Sequence, residues 1–263
     1  MNIKVLVTGS QGQLGKTIEE LYVNNNLGID FTFVSKSALD ISDKAKVTRF
    51  FANTNFNYCI NCAAYTNVEQ AEKTPEIAYQ INAEAVKYLA EICKASKTVL
   101  IHISTDYVFD GEKGEPYTIK DIPNPINEYG KSKLLGEHYI QDTLNDYFVI
   151  RTSWLYSKKY GNNFYKTIVR KAKTGKELFI TCRETGCPTD TVNLSKFIIQ
   201  LIKQKSQLFG IHHFRDEKIM TWFDFAEEIL MENSLLTETN LVKVGKYGTF
   251  AIRPKTSILS LNN

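Results

Sequence analysis

Thr105, Tyr129 and Lys133 are the side chains of this chain whose types and spacing could together move a proton to or from a carbonyl oxygen. Tyr129 and Lys133 lie in the string E-Y-G-K-S-K, four residues apart, which puts them one turn apart on a single helix face. An ammonium beside a phenol favours the phenolate, so the pair predicts a Tyr129 pKa below the ordinary tyrosine value and proton exchange near neutral pH. Thr105 belongs to Ser104-Thr105-Asp106, at the end of the apolar run Thr98–Ile103. A hydroxyl at the carboxyl end of a strand can meet such a helix across a cleft, because open α/β sheets take their ligands there. By itself the Tyr-x-x-x-Lys spacing also fits an ordinary surface helix.

The elements around these residues favour the chemical reading. Lys4–Thr8 is a β-branched run, followed by Gly9-Ser-Gln-Gly12-Gln-Leu-Gly15 and an apolar-periodic segment through Leu14, Ile18, Leu21 and Tyr22. That is strand, glycine turn, helix. Glycines allow a tight turn and close approach of a pyrophosphate, and the helix N-terminus attracts the anion. Gly9, Gly12 and Gly15 are therefore candidate dinucleotide contacts. The second strand, Asp30–Val34, ends in Ser35-Lys36-Ser37, where NAD-specific proteins usually carry an acid. A cation there suits a 2′-phosphate, so NADP(H) is expected and NAD(H) remains possible; Lys36 could equally be a solvated loop residue. Ser42 is the expected N-cap of a helix through Val47, Phe50 and Phe51. Strand Tyr58–Asn61 runs into Cys62-Ala63-Ala64-Tyr65-Thr66, small residues against which a flat cofactor could lie, although packing explains two alanines as well. Glu76–Ala95 predicts one long helix, and Tyr147–Thr152 a further strand.

This alternation predicts an α/β fold, a Rossmann-like doubly wound parallel sheet over residues 1–152. Beyond Thr152 the elements become short and mixed, which predicts a smaller substrate lobe over 153–263, with part of 190–215 returning to the main domain. The chain has 263 residues, 43% hydrophobic and 23% charged, ordinary for a globular protein. A net charge of +3 with interspersed signs gives no footprint for nucleic acid. No run of membrane-spanning length and no leader pattern is read, so the expectation is a cytoplasmic protein. The five cysteines are dispersed, and Cys59-x-x-Cys62 reads as two buried thiols at a strand end rather than a metal or redox pair.

The motifs together resemble one family, the dTDP-4-dehydrorhamnose reductases among the extended short-chain dehydrogenase/reductases. The resemblance is carried by G-S-Q-G-Q-L-G (Gly9–Gly15), L-D-I (Leu39–Ile41), N-C-A-A-Y-T-N-V-E-Q-A-E (Asn61–Glu72), I-N-A (Ile81–Ala83), S-T-D-Y-V-F-D-G (Ser104–Gly111) and Y-G-K-S-K-L-L-G-E (Tyr129–Glu137). It continues with R-T-S-W-L-Y (Arg151–Tyr156), G-N-N-F (Gly161–Phe164), G-C-P-T (Gly186–Thr189), T-W-F-D-F-A (Thr221–Ala226) and R-P (Arg253–Pro254). The resemblance implies NADP(H)-dependent reduction of the 4-keto group of a nucleotide sugar, by a monomer or homodimer. It implies that Tyr129 gives its proton to the developing alkoxide, Lys133 holds the ribose and Thr105 hydrogen-bonds the reacting oxygen. Cofactor contacts would add Gln11, Gln13, Leu14, Asp40, Ile41, Cys62, Ala63, Ala64, Tyr65 and Thr66. Sugar contacts fall on Thr105, Asp106, Tyr107, Trp154 and Asn163; Trp154 could also be a lid over the core. Some members hold Mg²⁺ where this chain has Lys16-Thr17 and Thr191-Val192-Asn193, so no metal is expected. Alternatives within the resemblance are a related nucleotide-sugar epimerase and a non-catalytic, NADP-binding regulatory subunit of the methionine adenosyltransferase type.

Overall fold

The first half of the chain alternates strand and helix. β1 (Ile3–Thr8), α1 (Gln13–Tyr22), β2 (Ile29–Val34), α2 (Lys44–Ala52) and β3 (Tyr58–Asn61) lead into α3 (Val68–Lys73) and α4 (Pro75–Tyr79). A π turn over Gln80–Glu84 joins α4 to α5 (Ala85–Ser96). β4 (Val99–Thr105), a 3-10 turn over Asp106–Val108, α6 (Glu128–Thr143) and β5 (Tyr147–Thr152) follow. Later elements are shorter: β6 (Leu155–Tyr156), α7 (Phe164–Lys173), β7 (Leu178–Thr181), β8 (Thr185–Gly186) and β9 (Thr189–Asp190). α8 (Thr191–Lys203), β10 (Gly210–His213), β11 (Met220–Thr221), α9 (Trp222–Glu232) and β12 (Leu241–Val244) complete them. The computed structural model describes residues 2–24, 27–175, 177–245 and 248–261.

Six strands pair in the order β10-β5-β4-β3-β1-β2, all parallel. Parallel strands need cover on both faces, and successive side chains supply it. Leu6 of β1 packs with Cys59, Leu100 and Val149 beneath α2 and α5. Its neighbours Val5 and Val7 pack instead with Ile60, Ile101 and Phe148 beneath α1 and α8. The order reverses at β1, which lies between β2 and β3, and this is the crevice where such sheets take ligands. α8 and β10 belong to this main body, although they follow the first short elements in sequence. A separate core holds the smaller lobe, where Ile168, Leu178, Phe225 and Ile229 bring α7, β7 and α9 together.

Two local expectations are corrected. The cap of α2 is Asp43, which accepts from Lys46 N at 3.0 Å; Ser42 turns back to donate to Asp40 at 2.7 Å. The helix expected over Glu76–Ala95 is interrupted by the π turn, where Asn82 grips Tyr65. Asn82 Oδ1 accepts from Tyr65 N at 2.8 Å, and its Nδ2 donates to Tyr65 O at 2.9 Å and Ser132 Oγ at 3.0 Å. Such wide turns recur at functional sites.

Candidate active site

One cavity of about 590 Å³ runs from the glycine turn after β1 to the mouth of the smaller lobe. Thr105, Tyr129 and Lys133 all line it, together with Asp106 and Tyr107. Each is placed by a different element. Thr105 ends β4, and its hydroxyl accepts from Tyr107 N at 3.1 Å, which starts the 3-10 turn. Asn127 caps α6 by accepting from Gly130 N at 2.8 Å, so Tyr129 stands in the first turn of that helix. Gly130 lets the helix sit close: a Cβ there would fall 2.2 Å from Tyr107 O. Lys133, one turn on, is fully buried.

The electrostatics reverse one expectation. Burial pushes the Tyr129 phenol up to about 12; Thr105 opposes this through a hydrogen bond and Asp106 adds to it. The predicted lowering by Lys133 is not seen: the groups acting on the phenol besides burial are Thr105 and Asp106. Lys133 Nζ donates to Ile103 O at 2.6 Å and lies 3.1 Å from His102 Nε2. Proton positions around it follow from one backbone donor. Ala63 N–H points at Asn61 Oδ1 (3.2 Å), as does Thr8 Oγ1 (2.7 Å), so Asn61 presents its amide N–H to His102 Nδ1 at 3.0 Å. A neutral His102 then carries its proton on Nε2, and only a free amine at Lys133 can accept it. Burial pulls Lys133 down to about 8, in the same direction. Asp106 is also unusual. Burial raises its carboxyl to about 7, against hydrogen bonds from Ser257 and Thr105.

At the cofactor end, Gln11, Gly12, Gln13, Leu14, Cys62, Ala64 and Thr66 line the cavity. Gly9, Gly15 and Ala63 lie behind this wall: a Cβ on Gly9 would be 2.6 Å from Ala63 N, and one on Gly15 2.6 Å from Ser10 Cα. Gly9 also has a φ of +64°, open to glycine at no steric cost. Gly12 caps α1 without a side-chain acceptor, so first-turn N–H groups remain for an anion. Lys36, Asp40, Ile41 and Tyr65 do not line the cavity. Lys36 is exposed and sits 3.8 Å from Asp40, a weak contact at that exposure; Ile41 is core.

At the end towards the smaller lobe stand Trp154, Asn163 and residues that sequence reasoning did not place here. Asn163 is committed to the fold: it caps α7 by accepting from Lys166 N at 3.0 Å, and its amide donates to Gln13 Oε1 at 3.0 Å. Gln13 in turn donates to Leu155 O at 2.9 Å, tying the glycine turn to the smaller lobe. Trp222 lines the same cavity and stacks on Trp154. Its signal was the T-W-F-D-F-A string, but nothing local says where that helix start points. Ser257 and His102 were missed because their roles depend on contacts far along the chain.

Among the described residues, no group of three or more His, Cys, Asp or Glu could hold a metal ion. Thr17 and Thr191, from two of the segments compared with metal-holding members, meet through a hydroxyl–hydroxyl contact of 3.0 Å between α1 and α8. All five cysteines are free; a contact with Cys93, and then burial, raises the buried Cys59 thiol, and burial raises that of Cys62, which is only partly buried rather than fully so as expected.

Comparison with known proteins adds to this geometry. A family model described as the RmlD substrate binding domain matches residues 3–263. A dTDP-4-dehydrorhamnose reductase of Aggregatibacter actinomycetemcomitans is 37% identical, over 98% of this chain and 90% of its own length. The spore coat polysaccharide biosynthesis protein SpsK of Bacillus subtilis is 37% identical, over 98% of this chain and 89% of its own. The crystal structure of dTDP-4-dehydrorhamnose reductase from Bacillus anthracis in complex with NADP superposes with a TM-score of 0.94 at 38% identity. That match covers 100% of this chain and 92% of the other.

Proposed function

This chain belongs to the RmlD family of dTDP-4-dehydrorhamnose reductases, and on that premise we propose that it reduces the 4-keto group of dTDP-4-dehydro-L-rhamnose with NADPH, giving dTDP-L-rhamnose. The observation that carries the reading is the shared cavity, in which the Thr105–Tyr129–Lys133 cluster and the glycine turn face one space. NADPH, when bound, supplies the hydride that adds to the sugar's C4. The first-turn amides of α1 and the turn Gln11–Leu14 would hold its pyrophosphate, and Cys62, Ala64 and Thr66 its flat ring.

The chain's own residues manage the proton. Tyr129 keeps it at Oη through neutral pH, because burial disfavours the phenolate. A carbonyl oxygen gaining negative charge as hydride arrives is a far stronger base, so the phenol is a general acid in waiting. Thr105 Oγ1 can donate to the same oxygen and hold it in line. The product is the alcohol plus NADP⁺, and Tyr129 recovers its proton from solvent. Lys133, as amine or ammonium, offers N–H groups to the ribose. The reading places the protein in the cytoplasm as a monomer or homodimer. No described helix is long and apolar enough to cross a membrane.

The test is direct. Purified protein mixed with NADPH and dTDP-4-dehydro-L-rhamnose should consume NADPH absorbance in proportion to added sugar nucleotide. Cofactor binding without consumption would remove the reductase reading and leave a binding subunit.

A further inference from the structure

The chain has two tryptophans, and they form one face-to-face stack inside the cavity. The ring centroids of Trp154 and Trp222 are 3.5 Å apart with planes 5° from parallel. The other face of Trp154 is also covered: a Cβ on Gly186 would fall 2.5 Å from Trp154 Cε2 and 2.7 Å from Nε1. A ring overlapped so closely by Trp222 has no room for that peptide on the same side, so the indole is sandwiched. The two walls come from one piece of structure. β8 and β11 pair antiparallel, with Gly186 opposite Met220 and Thr185 opposite Thr221, and Trp222 follows β11 as the first residue of α9. The slot is thus a clip made of Gly186 and Trp222, with Trp154 held in it.

Two features make the Trp222 wall the movable one. Trp154 carries a φ of +46°, in the left-handed region that a bulky residue occupies only when its surroundings enforce it, and its backbone is anchored by β6 pairing with β9. Trp222 stays half-buried in spite of the stack, and its other ring neighbours are Phe164 at 4.6 Å and Phe225 at 6.5 Å. Its helix starts at a capping box, where Thr221 and Asp224 bond reciprocally at 3.2 and 3.0 Å. Trp154 lines the same cavity as Thr105 and Asp106. The apolar C–H face of a hexose stacks on an indole face, and in this structure Trp222 occupies one face of Trp154.

We propose that Trp222 is a substrate-recognition residue that stands in for the sugar: its indole covers the face of Trp154 that the hexose of the nucleotide sugar takes, and binding of the hexose opens the stack. The proposal rests on the nucleotide-sugar reading above. It makes substrate selection partly a competition between one indole and one pyranose for the same plate. A nucleotide without its sugar leaves the stack closed.

Because both tryptophans are in the stack, its spectroscopy reports on nothing else. Indoles stacked this closely couple strongly, and with their rings rotated relative to each other within the plane they give an exciton couplet in far-ultraviolet circular dichroism, which should be present in the NADP⁺-loaded enzyme and absent in Trp222→Phe. Saturating dTDP-L-rhamnose should collapse the couplet, and dTDP alone should leave it intact. By calorimetry, Trp222→Ala should bind dTDP-L-rhamnose several-fold tighter than the parent, with affinity for dTDP unchanged. If calorimetry reports binding and the parent turns over while the couplet persists, the stand-in role is overturned and the reductase reading survives. Weaker binding by Trp222→Ala, or collapse of the couplet with dTDP alone, also overturns it. Absence of both binding and turnover with the sugar nucleotide removes the two together. Trp222→Phe keeps an aromatic ring against Phe164, so the spectroscopic arm remains available if the alanine variant fails to fold.

Discussion

Tyr129 and Asp106 show how far a residue's role depends on its surroundings. Tyr129→Phe removes the proton donor and keeps the ring against Tyr107, 5.9 Å away. Turnover should fall by ~10²–10⁴, the usual contribution of a positioned acid; an unchanged turnover number in the NADPH assay would take Tyr129 out of the mechanism. Asp106 supplies a pH dependence. With its carboxyl raised to about 7, it is mostly neutral below that pH and ionised above. Ionised Asp106 draws the Thr105 hydroxyl and makes the Tyr129 phenol a weaker acid, and both effects oppose reduction. Turnover should therefore decline as pH rises through about 7, and Asp106→Asn should flatten that part of the profile. A profile of the variant that keeps the same inflection assigns it to another group. The spacing of Tyr129 and Lys133 was enough to put both on one cleft. The sign of the phenol's shift was not readable, because it is set by burial, which depends on how α6 packs on the elements around it and which no local pattern encodes.

At the scale of elements, α6 has two tasks, to present Tyr129 and to stay fixed on the sheet. Glu137, near the middle of α6, forms a fully buried bidentate pair with Arg151 of β5: Arg151 Nη2 is 2.6 Å and Nε 3.1 Å from the carboxylate, and Ser104 of β4 donates to it as well. Removing one charge strands the other in the core, so Glu137→Gln should cost about 3–5 kcal/mol in urea unfolding. A loss within ~0.5 kcal/mol, as for an exposed site, would show that Arg151 finds another partner. Some regular elements could be read from apolar periodicity: strands Tyr58–Asn61 and Tyr147–Thr152 coincide with the structure residue for residue. The two-residue strands β6, β8, β9 and β11 could not, since a pair of residues has no period. The π turn was hidden for a related reason: its cause is Asn82 reaching Tyr65, seventeen residues away.

For the whole molecule, the cofactor is a source of stability as well as of reducing power. A ligand that binds only the folded chain adds about 2.7 kcal/mol at a hundredfold excess over its Kd. The thermal midpoint should thus climb with NADP⁺ concentration, and less with NAD⁺ at the same concentration. A midpoint indifferent to NADP⁺ would argue against the glycine turn as its seat. Lys36→Ala should narrow the gap between the two cofactors if Lys36 reads the 2′-phosphate; an unchanged gap assigns that task elsewhere. The Ser257–Asp106 contact has a further consequence, for the order of assembly. The strands that carry the glycine turn, Thr105 and the Tyr129 helix all lie upstream of Thr152, whereas Ser257 arrives from 151 residues beyond Asp106. Loop closures of that span come late in folding. A refolding chain should therefore regain nucleotide affinity first and turnover afterwards, passing through a species that holds NADP⁺ but has not yet brought Ser257 to Asp106.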